Sequence, residues 1–333
     1  FRIGMHHRNE RDAIIQHGTM TLIRATALRE HGRWSEWTIC EDAELGLRMM
    51  KAGLRTVYVD RVMGEGLTPD DFAQFKKQRR RWAQGAMQIL KGHAGSLFGP
   101  GPLTRAQRYH FVTGWLPWIG DALHLVFSFG AIAWTIGLLA APTRFHYPIT
   151  LYMVPLLAFF GVRAVLGPML YRRRVRCSIA ETLGAALAGM GLSHAIGLGV
   201  FAGLAQGRAV FEVTGKGHHT KAPRTASNAF GGAREEALLL IGLLLCAVSV
   251  ALTRQVNHLE SLLWIAVLTL QALPYLASVA CAAISRLPEQ PLPAPEALRL
   301  PADARGLPAS SGGDAWRGAV LQRSALPPSG APR

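Results

Sequence analysis

Four long apolar segments constrain this chain more than any other feature of its sequence. They lie at about residues 114–141, 149–170, 237–252 and 262–284. A helix of about 20 apolar residues is long enough to cross the hydrocarbon core of a bilayer. Helices also satisfy their own backbone hydrogen bonds, which lipid cannot do. We therefore expect a membrane-embedded helical bundle over residues 93–285, with these segments as its spans.

The composition agrees with membrane spans. Of the 333 residues, 50% are hydrophobic and only 17% are charged, which is apolar for a soluble enzyme. The formal net charge is +15, but the basic residues flank the apolar runs, as cytoplasmic loops do, so we expect no nucleic-acid partner. The four cysteines are scattered without a C-x-x-C pair, and neither a zinc site nor a disulfide framework is predicted.

A further segment, residues 180–206, is rich in Gly and Ala. As a membrane span it would place the basic loop of residues 207–234 outside, whereas an interfacial helix leaves that loop inside. The positive-inside rule favours the interfacial helix. Four crossings then leave residues 1–92 and the disordered, Pro-rich tail of residues 286–333 in the cytoplasm. Arg163, near the end of the second span, is expected to snorkel to the interface.

Residues 1–92 have the pattern of the latter part of an α/β domain. Residues 17–23 and 56–59 are expected as strands, and residues 25–31 as a short helix. The class predicted for the whole chain is therefore an α/β domain followed by an α-helical transmembrane bundle.

Acidic residues open the helix that begins near residue 41. Glu41, Asp42 and Glu44 occupy its first turn, where carboxylates are ordinary partners of the helix dipole. The functional interpretation is that Asp42 faces a cleft as a general base, kept ionised by the helix N-terminus. The residues alone leave both interpretations open.

Strong start and stop signals delimit a long basic helix over residues 68–92. Thr68 is the expected N-cap, and Gly92 marks the end. Further on, Thr104 and Gln107 have the spacing of a capping box that opens the next helix.

One face of this basic helix carries an unusual set of side chains. Gln78, Arg81 and Trp82 share it by their i, i+3, i+4 spacing, and Arg79 and Arg80 are expected to lie off it. A forked cation suits a diphosphate and an indole suits a sugar ring. A basic amphipathic helix on a membrane surface accounts for the same spacing equally well.

Three motifs in order identify a family. Cys-Glu-Asp at residues 40–42, then Gln-x-x-Arg-Trp at residues 78–82, leads into the membrane spans. This resembles the processive family 2 glycosyltransferases, which include cellulose, hyaluronan and chitin synthases and related β-glucan synthases. Their pattern has Thr where Cys40 stands. Phe-Glu-Val-Thr-Gly-Lys at residues 211–216 also fits F-x-V-T-x-K, the gating loop of cellulose synthase.

The resemblance implies a role for each matching residue. Asp42 would deprotonate the acceptor hydroxyl, and Glu41 would line the same acceptor pocket. The other substrate-binding residues would be Gln78, Arg81 and Trp82 for the acceptor and the donor diphosphate, and Thr214 and Lys216 over the nucleotide.

The fold and activity also follow from the resemblance as expectations. The N-terminal part would belong to a cytoplasmic GT-A domain, with the enzyme a multi-pass hexosyltransferase of the bacterial inner membrane. It would transfer sugar from a UDP-sugar to a growing glycan with inversion, with Mg²⁺ or Mn²⁺ on the diphosphate, and pass the polymer through the bilayer. UDP-glucose is the expected donor, with N-acetylglucosamine as the runner-up sugar.

One family element is not found in this sequence. No D-x-D motif precedes Asp42, so we expect an N-terminally truncated chain whose metal ligands lie upstream and which does not bind donor productively by itself. Two alternatives stay open: a non-processive transferase acting on a lipid or short acceptor, and a non-catalytic membrane transport or scaffold protein.

Overall fold

The computed structural model describes residues 4–18, 20–61, 68–69, 71–174, 177–205, 232–253 and 258–287. Its N-terminal part contains α1 (Gly4–Glu10), α2 (Ala25–Glu30), α3 (Glu41–Lys51), α4 (Phe72–Gly92) and α5 (Ala94–Phe98). The remaining helices are α6 (Arg105–Ala140), α7 (Ile149–Phe160), a π-helical turn (Gly161–Leu166), α8 (Gly167–Arg174), α9 (Ile179–Gly191), α10 (Ser193–Ala205), α11 (Arg234–Thr253) and α12 (Leu259–Ile284).

Neither segment expected as a strand pairs with another strand in the described part of the chain. In the second segment, the Tyr58 amide donates to the Asn9 side chain at 2.8 Å. A strand requires a neighbouring strand to complete its backbone hydrogen bonds, and a side-chain acceptor does not extend into a ladder. The α/β class therefore stays a prediction, whereas the helix expected near residues 25–31 is present as α2.

The N-caps of α4 and α6 can be compared with those expected from the sequence. Helix α4 begins later than expected, because the Asp71 carboxylate, and not Thr68, accepts a hydrogen bond from the Gln74 amide at 2.8 Å. The capping box between Thr104 and Gln107 is present at the start of α6.

Four helices within the described residues are long and apolar enough to cross a membrane: Arg105–Ala140, Ile149–Arg173, Arg234–Thr253 and Leu259–Ile284. They overlap the four apolar segments of the sequence. Large side chains on them, such as Leu238 and Leu245, are 71% and 60% exposed, and an apolar surface of this kind is suited to lipid contact. The chain is a membrane protein.

Helices α9 and α10 form a pair bent by 40°, and α10 packs closely on α4. Gly199 and Gly203 lie against the carbonyl oxygens of Arg80 and Gln84, where a Cβ atom would collide with backbone. Small residues allow two helix backbones to approach in this way. The broken helix therefore holds α4 against the bundle.

Arg163 of the second span is paired with an acidic residue of the first span. It forms an ion pair with Asp121, which is fully buried, and donates a second hydrogen bond to the Gly189 carbonyl at 2.8 Å. A lone charge in the bundle would be costly, so the pair compensates both side chains, and the expected reach of Arg163 to the interface stays a prediction.

Candidate active site

The first turn of α3 presents the predicted base. Asp42 and Glu41 are both half-buried there, and the Asp42 Oδ1 atom accepts a hydrogen bond from the Ala43 amide at 2.7 Å. The carboxylate is thus fixed at a helix N-terminus, where backbone N–H groups favour negative charge.

The segment before α3 runs antiparallel along α4. Trp37 packs beside Gly92, and the Ile39 amide donates to the Gln88 side chain at 3.3 Å. One residue later the Cys40 thiol donates to the Trp82 carbonyl at 3.8 Å. This path brings the start of α3 to the turn of α4 that carries Trp82, although the two motifs are about forty residues apart in sequence.

Cys40 has a packing role at this junction. Its side chain fills the space beside Gly85, where a Cβ atom would collide with the sulfur. Burial, together with the charges of Asp42 and Glu41, raises the pKa of Cys40 to about 12. The thiol is therefore protonated at neutral pH and unsuited to act as a nucleophile.

The predicted substrate-binding face of α4 is partly covered. Gln78 is 9% exposed, and Arg81 and Trp82 are half-buried. Arg79, expected to lie off this face, instead places its guanidinium 4.5 Å from the centroid of the Trp82 ring and 4.9 Å from that of Phe75. Arg79 and Trp82 are related by i, i+3 spacing, which is a neighbour relationship on a helix.

Two residues that the sequence predicts only as part of a strand lie beside Asp42. Gly18 lies so close to Asp42 that a Cβ atom on it would sit 3.2 Å from the Asp42 Oδ2 atom. Burial lowers the pKa of the adjacent His17, and the nearby charge of Asp42 opposes that change. The His-Gly-Thr-Met-Thr sequence at residues 17–21 was the available signal, since a glycine often marks a close approach.

Thr214 and Lys216 lie outside the described residues, so their place relative to Asp42 stays a prediction. The described residues on either side of residues 206–231 both contact α4. Lys91 donates to the Leu204 carbonyl at 2.6 Å, and Lys76 donates to the Gly232 carbonyl at 2.5 Å.

A metal site is not formed by the described residues. Among them, no group of three or more His, Cys, Asp or Glu side chains could hold an ion. The described residues therefore do not fit the divalent cation that the resemblance implies.

The region around this site is similar in sequence to known glycosyltransferases. Residues 5–162 match the family model described as glycosyl transferase family group 2. Cellulose synthase 1 catalytic subunit [UDP-forming] of Komagataeibacter xylinus is 24% identical over 197 residues, covering 51% of this chain and 26% of the relative.

Two further relatives match shorter stretches. Glucomannan 4-beta-mannosyltransferase 7 of Arabidopsis thaliana is 31% identical over 80 residues, 24% of this chain and 14% of the relative. Cellulose synthase catalytic subunit [UDP-forming] of Xanthomonas axonopodis pv. citri (strain 306) is 35% identical over 74 residues, 22% of this chain and 10% of the relative. The chain thus spans about a quarter or less of the length of these relatives. The matches confirm the resemblance to the processive family 2 glycosyltransferases.

Proposed function

We propose that this chain contributes the acceptor side of a membrane-embedded inverting hexosyltransferase. In this proposal the enzyme extends a β-linked polysaccharide, a β-glucan, from UDP-glucose and passes the polymer through the membrane. The contact between the Cys40 thiol and the Trp82 carbonyl carries the proposal. It supports the idea that the carboxylate of Asp42 and the indole of Trp82 serve one acceptor sugar.

The roles follow from the chemistry of each side chain. Trp82 offers an apolar plate to a sugar ring, while Gln78 and Arg81 supply hydrogen-bond donors for the acceptor and for the diphosphate. Glu41 lines the acceptor pocket beside Asp42. Thr214 and Lys216 would close over the nucleotide, as the family motif implies.

The reaction is a single displacement. Asp42 accepts the proton of the acceptor hydroxyl as its oxygen attacks the anomeric carbon of the donor. The bond from that carbon to the diphosphate oxygen breaks, and the electron pair leaves with UDP. Attack from the opposite face inverts the configuration, so an α-linked donor gives a β-linked product.

The membrane arrangement belongs to the same proposal. Residues 1–92 would form part of a cytoplasmic GT-A domain and residues 93–285 the membrane domain, with α9 and α10 at the cytoplasmic interface of a bacterial inner membrane. This topology puts Asp42 where UDP-sugars are available and leaves the spans to guide the product outward.

The test is to replace Asp42 with Asn in the intact protein in its own membranes. General-base catalysis contributes about 10²–10⁴-fold, so incorporation of radiolabelled glucose should fall by about that factor. Asp12→Asn is the matched control. Asp12 has a left-handed backbone with φ of 49°, which Asn tolerates. Membranes with this control variant should incorporate glucose at the wild-type level. Retained polymer synthesis by Asp42→Asn would remove Asp42 as the base.

The donor sugar is tested in parallel, because both cellulose synthases and glucomannan mannosyltransferases are among the relatives. Wild-type membranes are assayed with UDP-glucose, UDP-N-acetylglucosamine and nucleotide-activated mannose, and the product is analysed for linkage and length. A long β-linked glucan supports the proposal, whereas one-sugar products on lipid would indicate a non-processive transferase.

A further inference from the structure

A buried carboxylate lies one helical turn from the N-terminus of α3. The Glu44 side chain is 1% exposed, and its two oxygens accept from Arg48 Nε at 2.8 and 2.9 Å. The Ser35 hydroxyl donates to the same carboxylate. The third partner, His93, lies beyond α3 in the chain, and its Nε2 atom is 3.0 Å from Glu44 Oε1.

His93 stands where α4 ends and α5 begins. Its Nδ1 atom is 3.4 Å from Lys51 Nζ, and its ring centroid is 5.9 Å from that of Trp37. Lysine can only donate, so Nδ1 is the acceptor and Nε2 carries the hydrogen that Glu44 receives. In this tautomer the imidazole satisfies both contacts and joins the two ends of α3 to the end of α4.

These contacts fix how far α3 can slide along α4. Residues 37–40 run along α4 from Gly92 toward Trp82, and α3 then returns so that Glu44 meets His93. The Glu44–His93 contact adds a polar tie between α3 and the end of α4 to those made by Ile39 and Cys40. Asp42 lies between the two contact points, so its position relative to Trp82 depends on both.

We propose that Glu44 and His93 are positioning residues that hold Asp42 at the acceptor sugar bound on Trp82. This inference rests on the proposed function. Small displacements of reacting groups cost large factors in rate because the reacting atoms must be aligned. The pair therefore acts on the chemical step, and it leaves donor binding unchanged.

The test compares His93→Phe with His93→Gln in the intact protein. Phe keeps the ring beside Trp37 and removes both polar contacts, whereas the Gln amide can still donate to Glu44. We expect His93→Phe to lower kcat by about tenfold or more, with the KM for the UDP-sugar within about twofold of wild type, and His93→Gln to recover most of the loss. His7→Phe, at an exposed histidine, is the control and should match wild type.

Cys40 provides a second measurement that needs no turnover. Its thiol is held in the gap beside Gly85, so slippage of α3 should raise its rate of alkylation in His93→Phe and not in His93→Gln. Cys246, which is buried in the bundle, should stay protected in every variant, and its exposure would reveal general unfolding instead.

The outcomes separate the two proposals. If wild-type protein transfers no sugar, the proposed function fails, while the alkylation of Cys40 still decides whether His93 holds the register. If His93→Phe keeps the wild-type kcat, or changes only the KM for the donor, the positioning role is overturned. Protection of Cys40 in His93→Phe would overturn it as well.

Discussion

The guanidinium of Arg79 lies over the ring of Trp82, with its central carbon 4.5 Å from the ring centroid. An arginine at this distance is attracted to the electron-rich face of the indole. It therefore covers one face of Trp82. Burial lowers the pKa of Arg79, but guanidinium stays charged at neutral pH, so the attraction persists under working conditions.

Replacing Arg79 with Ala should weaken acceptor binding, because Trp82 loses the partner that holds its ring in place. A cation–π contact at a partly exposed site contributes about 0.5–1 kcal/mol, so we expect the KM for a soluble oligosaccharide acceptor to rise by about two- to fivefold. Arg80→Ala, at an exposed neighbour on α4, is the control. Equal acceptor KM values for the two variants would contradict a role for Arg79.

Gly199→Ala should destabilise the protein by forcing α10 away from α4. The added methyl group meets the Arg80 carbonyl oxygen, and backbone cannot move aside as a flexible side chain can. Overpacking of this kind costs typically 1–3 kcal/mol, which thermal unfolding in detergent would show as a lower Tm.

The matched control for that experiment is Gly189→Ala in α9, where a Cβ atom meets nothing within 4 Å. Alanine is a better helix former than glycine by about 1 kcal/mol. The control should therefore keep or raise the Tm. A lowered Tm in the control and an unchanged one in Gly199→Ala would show that close packing of α10 is unimportant.

Lys76→Met should lower the stability of the protein more than the place of Lys76 on a basic helix suggests. Lys76 pairs with Glu236, whose side chain is 1% exposed and also lies 3.0 Å from His194 Nδ1. Removing one partner of a buried pair costs about 3–5 kcal/mol, because the remaining charge loses its compensation.

The double variant Lys76→Met with Glu236→Gln distinguishes this cause from lost packing, since it removes both charges and should recover part of the stability. Lys77→Met, at an exposed neighbour, should leave the Tm near wild type. If the double variant is no more stable than Lys76→Met alone, the buried charge is not the source of the effect.

Glu44 should make a pH-dependent contribution to stability. Although burial by itself would raise it, hydrogen bonds from His93, Ser35 and Arg48 lower the pKa of Glu44 below its ordinary value. A group whose pKa is lower when folded stabilises the protein above its unfolded pKa, which is about 4.3 for Glu. That stability is lost as the pH falls through the lower folded value.

We therefore expect the Tm difference between wild type and Glu44→Gln to be largest near neutral pH and to shrink as the pH falls below about 4.3. Glu30→Gln, at an exposed glutamate of α2, should show no comparable trend. A difference that grows on acidification would contradict the lowered pKa.

Local sequence signals predicted the long helices well, but they predicted one helix start wrongly and left the strands unsettled. The Thr104–Gln107 capping box formed because both residues lie within one turn. The expected cap at Thr68 was wrong because the nearer carboxylate of Asp71 begins the helix instead. The expected strands could not be settled in the same way, because strand formation depends on a distant neighbour that no local pattern identifies.

The sequence by itself determined the long helices, where the apolar spans lie and which three motifs are present, because each depends on residues close together in the chain. The tertiary structure decided which residues from distant parts of the chain contact one another. Arg163 pairs with Asp121, Glu44 meets His93, and the start of α3 reaches the Trp82 turn. Such contacts depend on how helices pack around glycines and buried charges, and helix packing brings together residues that have no periodic relation in the sequence.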